Sequence, residues 1–176
     1  MGATIWTYFT DYDEQPDRAL HRLRDEIFDA GQYRRPWEFP DFFVGVRDLP
    51  NVRLKTRLTL WVLESLYTTI ELFRWAAWGF RSPSSIEEAV AWAEEDGTHS
   101  ILDIERTGMY RGFGVAIPLS ELRLREFFGT TEPGRDAAEE AAHEISCSLA
   151  RWEAVYFPVY EDGKPRHLVF IGVSGD

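Results

Sequence analysis

His99, Asp103 and Glu105 bring a histidine and two carboxylates close together in the chain. If the segment is extended, alternation puts both carboxylates on one strand face about 6.6 Å apart. At that spacing one can act as general acid and the other as base, with His99 nearby. The opposed segment offers Gly112 and Gly114, whose missing side chains leave room for a ligand. This is the catalytic alternative. In the plainer reading, which we prefer, Asp103 and Glu105 are the wet side of a half-buried strand paired with Arg106 or Arg111, and His99 satisfies a turn.

Other chemistry has less to build on. His21, His143 and His167 are scattered, and the zinc-protease spacing HExxH does not occur. Gly112-x-Gly114 lacks the third glycine and the helix entrance of a dinucleotide loop. There is no GxSxG and no GxxxxGK[ST], so nucleophile-elbow hydrolases and P-loop enzymes have no support. No metal and no cofactor is expected. Cys147 is the single cysteine, which excludes an internal disulfide and a cysteine-built zinc site. Its place beside Ile145 and Leu149 predicts a buried, inert thiol.

These residues need a scaffold, and 176 residues with 44% hydrophobic and 28% charged content suffice for one ordinary domain. The formal net charge of −11 repels nucleic acid and anionic membranes and favours a basic partner. With one cysteine and no apolar signal core after Met1, the expected location is cytoplasmic. The expected architecture is one α+β domain over residues 1–176, with 51–82 as a candidate helical insertion. Its antiparallel sheet has about four or five strands, and its helices pack on one side.

Ala3 to Phe9 reads as a first strand, and Pro16 opens a helix with Leu20, Leu23 and Ile27 on its buried stripe. Ser85 and Glu88 have capping-box spacing ahead of Ala89, Val90 and Trp92. Leu102 and Ile104, then Phe113, Val115 and Ile117, alternate as two strands of a hairpin. Short helices follow from Pro118 to Phe128 and from Asp136 to Ala150, the latter with Asp136, Glu139, Glu140 and Glu144 outward. Glu153–Tyr160 and His167–Val173 form a hairpin across Asp162-Gly163, with Pro158 marking an edge or a bulge.

From Tyr33 to Pro50, prolines interrupt an aromatic segment that packs on the domain. Lys55 to Trp78 is the longest predicted helix. Val62, Leu66, Ile70 and Phe73 form its core stripe, and Trp61, Thr68 and Trp75, with Leu72 beside them, form a second line. Glu64, Glu71 and Arg74 interrupt the apolar run, so no membrane span is expected. The tryptophan line is either a second buried face or an anchor for another chain, including self-association through this helix.

The Trp6-centred strand, the run Asp-Gly-Thr-His-Ser-Ile-Leu-Asp-Ile from Asp96 to Ile104, and the closing Tyr160-Glu-Asp-Gly hairpin resemble a family of uncharacterised bacterial proteins. The resemblance implies no catalytic residue, and the 55–78 helix departs from the family pattern. The function expected is therefore an acidic protein-protein interaction module of the immunity or inhibitor type. Trp61, Leu72 and Trp75 would anchor its partner, and Glu139, Glu140 and Glu144 would select a basic one. The alternative is a small enzyme or ligand-binding protein using His99, Asp103 and Glu105.

Overall fold

The computed structural model describes residues 4–34, 82–93 and 97–175, together with Leu66, Thr69 and Phe73. The chain divides into two compact units, Met1–Arg34 with Ser85–Asp176, and Arg35–Ser84. In the second unit, Leu66, Thr69 and Phe73 are helical, and Leu66 and Phe73 are 56% and 73% exposed. This corrects the core stripe drawn through them. The spacing places both side chains on one helix face, but where apolar residues occupy most sides, periodicity does not say which face is buried. The rest of the 55–78 helix, with Trp61, Leu72 and Trp75, and the aromatic segment after Arg34 lie outside the described residues.

The first unit is built on a five-stranded sheet. Its elements are β1 (Ile5–Asp11), α1 (Pro16–Asp29), α2 (Ile86–Ala93), a 3-10 turn (Ile101–Asp103), β2 (Arg106–Thr107), β3 (Val115–Pro118), α3 (Glu121–Phe128), α4 (Arg135–Ser146), β4 (Glu153–Glu161) and β5 (Lys164–Val173). Their local causes are visible. Arg18 Nε and Nη2 donate to Asp13 at 2.6 and 2.8 Å, and Asp13 also accepts from the Gln15 amide, which fixes the turn into α1. The Ser85 hydroxyl caps α2 by accepting from the Glu88 amide at 3.2 Å. Ser120 caps α3 in the same way, and Gly129 ends it in the left-handed conformation at φ 69°. At the tip of the β4–β5 hairpin, Asp162 and Gly163 take φ of 52° and 71°, as a tight turn matching the strand twist requires.

The strand order is β1-β5-β4-β3-β2. β1, β5 and β4 pair antiparallel, whereas β4 with β3 and β3 with β2 pair parallel. The sheet is therefore mixed, which corrects the expectation of a purely antiparallel one. Local periodicity reveals strands, while the direction of pairing is set by the α3 and α4 crossover between β3 and β4.

Helices also cover both faces, correcting the one-sided arrangement. Trp6, Ala116, Ala154, Leu168 and Phe170 pack with α1, α2 and the 3-10 turn, and Val155, Phe157, Val159, Val169 and Ile171 pack with α3 and α4. Neighbouring residues of β4 and β5 thus belong to opposite cores, so both strands read as continuous apolar runs. Each large side chain sealed there contributes about 1.5–3 kcal/mol. Pro158 lies beyond Tyr156, the last β4 residue paired with β3, so its missing N–H costs no bond on that side. A register shift follows between Val159 and Tyr160.

Candidate functional site

The segment around His99 is a folded turn, and the strand predicted through Asp103 and Glu105 is not formed. Gly97 at φ 76° and His99 at φ 55° bend the chain. The Ser100 hydroxyl then accepts from the Leu102 amide and starts a 3-10 turn. Asp103 is 4% exposed. Its Oδ1 accepts from the Thr98 amide at 2.7 Å and the Thr98 hydroxyl at 2.8 Å, and its Oδ2 accepts from the Ser174 hydroxyl at 2.7 Å. Because the Thr98 proton goes to the carboxylate, Ser100 Oγ donates to Thr98 Oγ1 at 2.9 Å. Asp103 thus ties the turn to the end of β5, with both oxygens engaged inside the protein.

Glu105, by contrast, is exposed, and its amide donates to the Gly114 carbonyl. The two carboxylates therefore do not share a wet face. Arg34 Nη1 lies 2.9 Å from His99 Nε2. A guanidinium only donates, so Nε2 accepts and the ring proton sits on Nδ1, directed at Thr4 Oγ1, 3.3 Å away. His99 thus braces the turn against Arg34 and Thr4.

A different histidine and carboxylate grouping forms from residues far apart in the chain. His167 Nε2 lies 3.4 Å from Glu161 Oε1, and its Nδ1 lies 3.9 Å from Asp11 Oδ1. These side chains, with Tyr12, Asp162, Pro165 and Arg166, line an open groove of about 510 Å³ at the hairpin tip. The signal was the strand register, since Asp11 pairs with His167 across β1 and β5. Among the described residues, no three His, Cys, Asp or Glu side chains are placed to hold a metal ion.

The feature least expected is the loop from Gly108 to Gly114. A strand is expected from Gly112 to Ile117, yet it begins only at Val115, after Gly114 turns at φ 67°. Met109, Tyr110 and Phe113 are 77%, 87% and 71% exposed. Arg111 Nη1 holds the loop in place by donating to Glu153 Oε2 at 2.8 Å and to the Ser148 carbonyl at 3.4 Å. The Phe113 ring rests 4.9 Å from that of Trp152. Ser148 lies just past Cys147, the C-cap of α4, so the loop adjoins the C-terminal end of that helix. Along α4, Asp136, Glu139, Glu140 and Glu144 are all exposed. Cys147 at its end is exposed as well, correcting the buried thiol, because Ser146 takes the inward position beside Ile145.

Tyr8 and Tyr156 have their hydroxyl pKa pushed above the usual value, first by burial and then by the nearby carboxylates Asp103 and Asp17 respectively. Burial lowers the pKa of Arg24, whose Nη2 donates to the Leu102 carbonyl at 3.3 Å. Among the described residues, no helix is long and apolar enough to cross a membrane. No protein-family model matches this chain, and neither does any curated protein or solved structure.

Proposed function

We propose that the chain is an acidic protein-protein interaction module of the immunity or inhibitor type, which docks a basic protein. The observation that carries the reading is the cluster of Met109, Tyr110 and Phe113, large apolar side chains held out by an anchored loop. Single exposed apolar residues are ordinary, but several within one short loop are the pattern of an interface anchor. The acidic side of α4, with Glu140 and Glu144 toward the end the loop adjoins, supplies the charge that would select a basic partner and speed encounter. On their sequence pattern, Trp61, Leu72 and Trp75 are proposed as further anchors.

The test compares proteins captured from the native host's extract by the wild-type chain, by Met109→Ser/Tyr110→Ser and by Glu140→Lys/Glu144→Lys. The expected outcome is one basic protein retained by the wild type and lost by both variants, with capture weakening as salt rises. Equal capture by all three would remove the reading. Trp61→Ala/Trp75→Ala, tested separately, should weaken capture while leaving the fold intact.

A further inference from the structure

Among the described residues, the outer side of β1 is a long open edge of the sheet. Thr4 O accepts from the Ser174 amide, and the Tyr12 amide donates to Arg166 O, so the even-numbered residues of β1 face β5. By alternation, Ile5, Thr7, Phe9 and Asp11 turn their backbone groups outward. Arg22 Nη2 takes the Asp11 carbonyl at 3.0 Å. Among the described residues, no strand pairs with the outward groups of Ile5, Thr7 and Phe9. Edge strands are usually guarded by lysine, proline, a bulge or extreme shortness. β1 is seven residues long, pairs without a bulge, and from Ile5 to Phe9 contains neither charge nor proline.

We propose that β1 pairs with β1 of a second copy of this chain, antiparallel and two-fold symmetric about Thr7, joining two sheets into one. What favours a second copy is that the strand complements itself in this register. Ile5 falls opposite Phe9, Thr7 opposite Thr7, and roughly six ladder hydrogen bonds form, two from each of these pairs. Ile5, 39% exposed, gains an aromatic neighbour on one face. Asp11 lies beyond the paired core, so no acid is set against an acid there. A closed two-fold contact also uses up both edges and does not propagate into fibres.

Sedimentation of the full chain over a concentration series at low and high salt tests this. The wild type should form a dimer. Because each copy carries a net charge of −11, salt should strengthen dimerisation, the opposite of its effect on a basic partner. Thr7→Pro removes an outward N–H without touching the β5 ladder, and Thr7→Lys places two like charges at the axis. Both should weaken dimerisation, on the order of thirtyfold for two lost ladder bonds, while keeping the monomer's circular dichroism. A monomer at every concentration overturns the proposal, leaving the edge to a strand from another protein or to none. A dimer that neither variant weakens overturns it too.

Discussion

Asp103 shows how one carboxylate can look catalytic in sequence and be structural in space. Its oxygens accept from Thr98 and Ser174, which lie on segments far apart in the chain. Asp103→Ala leaves those buried donors unpaired and should destabilise the protein by about 2–4 kcal/mol in urea unfolding. Asp103→Asn keeps one acceptor oxygen and lets Ser174 reverse its hydroxyl, so its cost should be about half as large. Alternation predicted the wrong environment because Ser100 offers its hydroxyl to the Leu102 amide, and that side-chain competition turns the backbone before a strand can start. Gly97 belongs to the same constraint, since a Cβ there would meet the Trp152 ring at 2.7 Å and Asp103 Oδ2 at 2.9 Å.

Between elements, the clearest tie is Asp17 at the start of α1. It accepts from the Thr107 amide at 2.9 Å and the Thr107 hydroxyl at 3.2 Å, which docks the helix on β2. The Thr107 amide is the main reason its pKa lies below the ordinary value; burial opposes, and the Thr107 hydroxyl and nearby His21 assist. A depressed carboxylate stabilises the fold above its unfolded pKa of about 3.9 and loses that contribution as pH falls through the lower folded value. Wild type should therefore melt above Asp17→Asn at neutral pH, and the gap should close on acidification below about pH 4. A gap that persists to pH 2 would assign the effect to hydrogen-bond geometry alone. Elements of this kind were legible where their signals are local. Ser85, Pro16 and Asp162-Gly163 placed two helices and a hairpin correctly. The parallel pairing of β2, β3 and β4 was not legible, because nothing near those residues encodes which distant strand they meet. The loop runs on to Gly114, past the expected start of the strand, because Phe113, Val115 and Ile117 alternate like a strand while Gly114 breaks the pattern through a backbone angle that periodicity does not register.

At the scale of the whole first unit, stability is concentrated in the middle of the sheet. β4 and β5 are covered on both faces, and Phe157, Val159, Val169, Phe170 and Ile171 are sealed from solvent. Native-state hydrogen exchange should find the slowest amides there, opening only with global unfolding, and the fastest between Met109 and Phe113. Slow exchange in the loop of the isolated chain would mean that it is already covered and not waiting for a partner. The charge of −11 and the α+β class were legible from totals and patterning alone. Burial was not, because it depends on which helices return to which face.

The place of β5 between β1 and β4 has a further consequence during synthesis. β1 is made well before its partner in the sheet, which is complete only once the ribosome has passed Val173. At ordinary translation speeds that is a wait of roughly ten to thirty seconds. Through that interval an apolar, charge-free segment from Ile5 to Phe9 has nowhere native to go, which makes the nascent chain a natural client for a ribosome-associated chaperone.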